Sequence, residues 1–176
     1  MSRAWMSGRL FGAGVIGAAV VGAGLIVPGS ALAATTCAAP PGAPAELTRV
    51  QDAEACGSTT DGTGGAWSLG AGGVGFADAV DGATVAAAGF DGGAGAGESR
   101  AGRLLAVGYG ADSLALGMLD EPGIAVIVTG PASQAFVGDA DDPVLCEGNL
   151  AAAFNLTAGS GCVLAGAFRY VTPSPL

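Results

Sequence analysis

Short apolar stretches alternate with turn-forming residues along the middle of the chain, and one stretch with its turn takes about ten residues. The turns contain pairs such as Asp81-Gly82, Asp91-Gly92 and Gly130-Pro131. A small residue returns at the same interval, at Ala86, Ala96, Ala106, Ala115, Ala125 and Ala135. A short strand followed by a tight turn is the simplest unit with this spacing. The pattern therefore predicts an all-β repeat over residues 74–145.

Two all-β architectures fit this repeat. Each unit is either half of a coil of about twenty residues in a β-solenoid or β-roll, or one strand with its hairpin turn in an antiparallel sandwich or barrel. A sandwich needs large inward side chains to fill the roughly 10 Å between its sheets. Alanine, glycine and valine occupy most inward-capable positions here, and only 6% of the residues are aromatic. Side-chain size therefore favours a Gly/Ala-rich solenoid.

The segments on either side of the repeat differ from it in composition. Residues 34–73 begin with a Pro/Ala-rich stretch and end in a Gly-rich loop over residues 58–73 that contains Trp67. Between them, a partial helical stripe over residues 46–56 predicts a short helix, with an edge strand as the alternative. Residues 146–170 are expected to close the domain, and residues 171–176, with two prolines, to form a loose tail.

Residues 1–33 have the layout of a secretory signal peptide. Arg3 and Arg9 lie in a polar start, residues 11–27 are apolar or glycine, and Ala31-Leu32-Ala33 forms a small-x-small cleavage site. The apolar run is short for a membrane span, and its glycines and alanines weaken insertion. We therefore predict an exported protein, secreted or held at the cell wall, with no transmembrane segment after cleavage.

Four cysteines in an exported chain predict two disulfides. Three pairings are possible, and Cys37–Cys56 with Cys146–Cys162 is favoured because each pair brackets a short segment at one end of the repeat. Such bridges would close the terminal coils, which otherwise expose apolar surface and unpaired strand edges. A zinc site is not expected, because the chain has no C-x-x-C motif and no histidine.

Charge and composition restrict the partners. After residue 33 the chain has four arginines, no lysine and fifteen carboxylates, which gives a formal charge of −11. Such a chain repels phosphate groups, so neither nucleic acid nor an anionic lipid surface is an expected partner. The abundance of alanine and glycine and the lack of lysine are typical of a GC-rich genome and indicate an actinobacterial source.

The chain lacks the side chains that most enzyme mechanisms need. Without histidine or lysine it has no Ser-His-Asp relay, no Schiff-base amine and no P-loop lysine. Carboxylate chemistry remains, and its candidates are Asp78, Asp81, Asp91, Asp112 and Asp120. Most of these lie in turns, where aspartate is common because its side chain bonds the local backbone. We therefore predict no catalytic residue and no enzymatic activity; a small carboxylate-dependent hydrolase is an alternative.

Calcium is the only cofactor that the sequence suggests. Exported, acidic Gly/Asp-rich repeats can bind it through carboxylates and turn carbonyls. The candidates are Asp139, Asp141 and Asp142, with Glu147 following. A calcium- or glycan-binding extracellular module is therefore a further alternative function.

The segment Ser113-Leu114-Ala115-Leu116-Gly117 resembles the S-x-A-x-G repeat of trimeric autotransporter adhesin heads, which are β-rolls on bacterial surfaces. Partial copies occur at residues 84–88, 104–108, 123–127 and 133–137. The resemblance implies a β-roll over this part of the chain. In overall layout the chain is also similar to small exported actinobacterial proteins of uncharacterised function.

These observations together predict a structural or adhesive β-repeat protein of the cell envelope. A flat repetitive face, stiffened by ladder hydrogen bonds, would contact another envelope component or a second copy of the chain. Apart from calcium, no cofactor is expected.

Overall fold

The computed structural model describes residues 34–172, which belong to one compact unit, Ala31–Leu176. These residues form fifteen strands and no helix, so the all-β prediction is confirmed. The strands are β1 (Thr35–Ala39), β2 (Ala45–Gln51), β3 (Glu54–Thr60), β4 (Gly65–Ala71), β5 (Val74–Val80), β6 (Thr84–Phe90), β7 (Ala94–Arg100), β8 (Arg103–Tyr109), β9 (Leu114–Leu119), β10 (Ile124–Thr129), β11 (Gln134–Val137), β12 (Leu145–Glu147), β13 (Leu150–Asn155), β14 (Ser160–Ala165) and β15 (Phe168–Val171). The predicted signal peptide lies outside the described residues.

Successive strands alternate between two sheets, so the chain coils. Sheet A has the order β1-β4-β6-β8-β10-β13-β14-β15, and sheet B has the order β12-β11-β9-β7-β5-β3-β2. Strands β3 to β11 pair in parallel within their sheets, and partners in neighbouring coils are 19 to 21 residues apart, as in Ala55↔Val74, Val74↔Ala94 and Arg103↔Ile124. Parallel pairing excludes the antiparallel sandwich or barrel and confirms the β-solenoid with two strands per coil.

The turns stack along two opposite edges of the solenoid. Turns that lead from sheet A to sheet B form one edge, and turns that lead from sheet B to sheet A form the other. Asp81 and Gly82 have φ values of 52° and 83°, and Asp91 and Gly92 have values of 49° and 82°. Glycine and aspartate tolerate this left-handed conformation better than most residues. The Asp-Gly pairs in the sequence are therefore corners of the coil.

At the edge where sheet A leads to sheet B, the backbones of the two sheets come into contact, and we call it the narrow edge. Gly70, Gly89 and Gly108 are register partners there. A Cβ at Gly108 would lie 2.6 Å from the carbonyl carbon of Ala94 and 2.9 Å from its nitrogen. Only glycine fits this position without a shift of the backbone.

Toward the opposite, wide edge, large side chains of sheet A pack over glycines of sheet B. Leu104 and Ile127 are buried in the core, and a Cβ at Gly117 would lie 2.6 Å from a terminal methyl of each. A Cβ at Gly97 would lie 2.8 Å from the other methyl of Leu104. The distance between the sheets stays small because large side chains of sheet A face glycines of sheet B.

Antiparallel strands and disulfides close both ends of the coil. β1 and β2 pair antiparallel with β4 and β3 at the amino-terminal end, and β12 and β13 pair antiparallel with β11 and β10 at the other. Cys37 and Cys56 join β1 to β3, and Cys146 and Cys162 join β12 to β14. These are the pairs that the sequence favoured.

The alanines of the sequence pattern do not all face the core. Ala106, Ala115, Ala125 and Ala135 are buried, whereas Ala86 and Ala96 lie on the outer faces. The reason is a mismatch between alanine spacing and coil length. Ala86 and Ala106 are twenty residues apart where the coil has nineteen, so Ala106 pairs with Ala87; Ala96 and Ala115 are nineteen apart where the coil has twenty, so Ala96 pairs with Leu116. A shift of one residue reverses the direction of a strand side chain.

The helix predicted over residues 46–56 is wrong, because β2 and β3 form an antiparallel pair there. β2 is exposed on both faces, so its sequence has no alternating pattern that would mark a strand.

The predicted domain boundaries also shift. The Gly-rich segment expected as a loop over residues 58–73 contains β4, and the parallel repeat begins with β3, well before residue 74. It ends with β11 at Val137, and the expected tail from residue 171 begins inside β15.

Candidate interaction surface

A continuous row of apolar side chains crosses the outer face of sheet B. Its members are register partners on successive strands: Phe76, Ala96, Leu116, Phe136 and Leu145. Phe76 is 43% exposed and Leu145 is 51% exposed. We call these five residues the sheet B ladder.

The small side chain of Ala96 leaves a groove in the middle of this ladder. The groove has a volume of about 250 Å³ and is lined by Phe76, Leu116, Met118 and Phe136, with Glu98 at its margin. Typical small-molecule pockets are larger, about 300–1,000 Å³, and enclose most of their ligand. The shallow groove is therefore better suited to a side chain of a protein partner than to a small molecule.

The outer face of sheet A is also apolar. Trp67, Leu105, Tyr109, Ile124 and Val128 are between 40% and 50% exposed on it. Parallel strands that are apolar on both sides normally occur where both faces of the sheet are covered. In this solenoid each sheet covers only the inner face of the other. The outer faces are apolar as well, which is typical of a surface that a partner covers.

Sequence reasoning did not identify the sheet B ladder. Residues such as Phe76 and Leu116 stand next to inward-facing small residues, Ala77 and Ala115, and the ten-residue spacing drew attention to the small ones. The available signal was the lack of polar residues at alternate positions, clearest in the entirely apolar stretch 114–119, which forms β9 of sheet B.

The charged side chains lie mainly along the wide edge, where carboxylates accept backbone N–H groups of neighbouring turns and Arg100 pairs with two aspartates. A carboxylate oxygen of Asp61 accepts the backbone N–H of Asp81 at 2.9 Å, and the carboxylate of Asp139 accepts the N–H of Asp120 at 3.1 Å. Between them, Arg100 lies 3.9 Å from Asp81 and 3.4 Å from Asp120. The pairs are solvent-exposed, so each contributes at most about 1 kcal/mol to stability.

Two aspartates near this edge have pKa values shifted in opposite directions. The backbone N–H of Asp81 and the hydroxyl of Thr63 donate to Asp61, and these bonds hold the pKa of its carboxyl well below its ordinary value. Asp78 lies on the outer face of β5, and burial raises the pKa of its carboxyl against the opposing charge of Arg100. One oxygen of Asp78 is buried without a hydrogen-bond partner among the described residues.

Asp78→Asn is expected to raise the melting temperature at pH 7, and the gain should fall toward zero near pH 3. A carboxyl with a raised folded pKa contributes stability below its unfolded pKa, near pH 4, and loses that contribution as the pH rises through the folded pKa. Asparagine carries no charge at either pH and avoids this loss. Thermal melting at the two pH values measures the effect, and a gain that does not change with pH would contradict it.

Asp61→Asn should behave in the opposite sense. A lowered folded pKa contributes stability above the unfolded pKa, and this contribution disappears as the pH falls. The variant should melt below the wild type at pH 7, and the difference should narrow in acid. Equal differences at both pH values would show that the carboxylate charge has no role there.

Three of the calcium candidates share one turn, but their carboxylates do not converge on a common site. The carboxylate of Asp139 is bonded to the N–H groups of Asp120 and Glu121, and that of Asp142 accepts the N–H of Asp139. Asp141 is exposed in the same turn, while Glu147 lies apart on β12. Within residues 34–172, no three histidine, cysteine, aspartate or glutamate side chains are placed to hold a metal ion. Calcium binding stays a prediction.

The candidates for carboxylate chemistry are divided among three places. Asp81 and Asp120 lie at the wide edge, Asp91 and Asp112 lie at the narrow edge, and Asp78 lies on the outer face of sheet B. Asp81 and Asp120 come near each other through Arg100, but both carboxylates are more than 60% exposed on an open edge of the solenoid. The absence of enzymatic activity stays a prediction.

The strand topology, the closed ends and the exposed outer faces together define a capped β-solenoid protein. No helix within residues 34–172 has the length and apolar character to cross a membrane. The chain belongs to a family of unknown function, DUF6764, whose model matches residues 4–165. No curated protein matches the chain, and no solved structure matches it.

Proposed function

We propose that this protein is an exported structural or adhesive β-solenoid of the cell envelope, and that it holds its partner on the outer face of sheet B. The observation that carries the proposal is the sheet B ladder, in which exposed apolar side chains continue over four parallel and antiparallel strand pairs. Exposed apolar patches of this kind mark interaction sites in stable proteins.

Export is supported by the two disulfides and by the signal-like first residues. The four cysteines are all paired, and stable disulfides are typical of oxidising, extracytoplasmic compartments. A thin coil with a small core also needs such bridges at its ends.

The charges around the ladder indicate the chemistry of the partner. Asp78 and Glu98 flank the ladder on one side, and Glu147 flanks it on the other. Within residues 34–172, these three carboxylates outnumber the one arginine on the same face, Arg100, so basic groups on a partner would raise its affinity and acidic groups would lower it. We therefore expect an envelope polypeptide with an apolar surface bordered by lysine or arginine.

The test is co-sedimentation of the purified chain, residues 34–176, with cell-envelope fragments of the source organism. A Phe76→Ser/Leu116→Ser variant should bind at least roughly tenfold more weakly, because it removes central apolar contacts of the ladder. A Leu105→Ser/Tyr109→Ser variant is the matched control, since it removes similarly exposed apolar residues from sheet A. Equal binding by the wild type and the ladder variant, with both folded, would refute the proposal.

A further inference from the structure

The last described strand, β15, extends beyond the end of sheet B. β12, the terminal strand of sheet B, is joined to β14 by Cys146–Cys162, and β15 is the next strand of sheet A. All four residues of β15 are exposed. Among residues 34–172, no strand pairs with its outer edge.

The register identifies the backbone groups at this edge. The N–H of Thr172 donates to the carbonyl of Gly161 at 2.9 Å, and Tyr170 is the register partner of Val163. In an antiparallel pair, alternate residues direct their N–H and C=O groups toward the partner strand. Tyr170 therefore bonds to β14, while the N–H and C=O groups of Arg169 and Val171 point away from it.

The other sheet edges have features that discourage pairing with a further strand. β15 shares some of them, since it is short, carries Arg169 and is followed in the sequence by Pro173, but none of these removes the outward N–H groups of Arg169 and Val171. β1 is followed by Pro40-Pro41, β2 carries Glu46 and Arg49, and β12 has only three residues. β15 has the sequence Phe-Arg-Tyr-Val, which has high strand propensity and contains no proline and no acid.

We propose that β15 pairs with the β15 of a second copy of this chain, antiparallel about a two-fold axis at Tyr170. In this register Arg169 of each copy faces Val171 of the other, and the two pairs exchange all the outward N–H and C=O groups of both residues. A register with the two-fold axis at Arg169 would place the two arginines directly opposite each other, which is destabilising. The contact is separate from the sheet B ladder and does not depend on its partner.

The pairing would join two A sheets into one continuous sheet. On the outer face, the row Val128, Ala152, Val163 and Tyr170 would continue across the axis into the second copy. Only one short strand from each copy is involved, so the interface is small. We expect a reversible dimer with a Kd on the order of 0.1 mM.

Cysteine crosslinking tests the register directly. In the proposed dimer residue 170 faces its own copy in a non-hydrogen-bonded pair, with a Cα separation of about 4.5 Å, which a disulfide can span. Residue 168 faces residue 172, so Phe168→Cys is a matched control of similar exposure. Under mild oxidation with the native disulfides intact, Tyr170→Cys should form a covalent dimer roughly tenfold faster than Phe168→Cys or more. Equal rates would overturn the proposal.

Sedimentation equilibrium tests the same contact without a new cysteine. The wild-type chain should associate reversibly over the concentration range, and Tyr170→Asp should remain monomeric, because it places two carboxylates against each other at the axis. The melting temperature shows whether Tyr170→Asp is folded. A wild-type chain that stays monomeric up to roughly 1 mM would contradict the proposal.

Discussion

Gly89→Ala is expected to destabilise the protein by about 3 kcal/mol or more, although it adds a single methyl group. A Cβ at Gly89 would overlap the carbonyl oxygens of Val74 and Gly93 and would lie 2.5 Å from the nitrogen of Val74. All three atoms are backbone atoms, so no side-chain rotation can make room. The two sheets would have to separate at the narrow edge, which disturbs the parallel ladders on both sides. Urea unfolding with intact disulfides measures the change.

Gly123→Ala is the matched control for this prediction. Gly123 lies in a turn at the wide edge, and a Cβ there would meet no atom closer than 3.7 Å. The substitution should therefore be neutral or raise stability by up to about 1 kcal/mol, because alanine restricts the unfolded chain. Equal destabilisation by the two variants would mean that the narrow edge has no special need for glycine.

Leu104→Ala is expected to cost about 2–5 kcal/mol, the range for a large buried aliphatic side chain that leaves a cavity. Leu104 is 3% exposed, and its methyl groups lie over Gly97 and Gly117 of the opposite sheet. The flanking strands cannot collapse into the space, because their parallel ladders keep the sheets apart. Leu105→Ala is the control, since Leu105 faces outward and is 40% exposed.

The same contact predicts a coupling between the two sheets. Gly117→Ala alone should destabilise, because its methyl would lie 2.6 Å from Leu104 and Ile127. In the double variant Leu104→Ala/Gly117→Ala, the added methyl can occupy part of the vacated space. The double variant should therefore lose less stability than the two single losses combined. Strict additivity would mean that these residues are not packed against each other.

The repeat and its closure could be predicted from sequence because they depend on local chemistry. The pairs Asp81-Gly82 and Asp91-Gly92 mark corners wherever they occur, since few other residues adopt their φ values. Small residues at most inward-capable positions favoured a thin solenoid over a thick sandwich, and the positions of the cysteines favoured the pairing that the structure has.

Two features depend on the neighbouring coil and could not be predicted in the same way: the face on which each alanine lies, and the strand conformation of β2. A coil one residue shorter reverses the faces of Ala86 and Ala106, and nothing in the spacing of the alanines shows that difference. β2 is a strand because it pairs with β3. Its own sequence lacks an alternation of apolar and polar residues, so a helix fitted that sequence as well as a strand did.

The candidate site was the least predictable part of the molecule. Acidic residues such as Asp139 and Asp142 stand out in the sequence, but their carboxylates cap backbone N–H groups of the turns. The sheet B ladder consists of ordinary apolar residues about twenty positions apart along the chain. Its members become a surface only when the coils are stacked in register.

The most direct test of the interaction surface is the reactivity of a cysteine placed at Ala96, in the middle of the sheet B ladder. The labelling rate of Ala96→Cys with a maleimide is compared between the purified protein and the native cell envelope, with Glu121→Cys in an exposed turn as the reference. If a partner covers the ladder, Ala96→Cys should react roughly tenfold more slowly in the envelope, while Glu121→Cys reacts equally in both. If Ala96→Cys reacts at the same rate in both settings, the outer face of sheet B is not covered and the proposed function is contradicted.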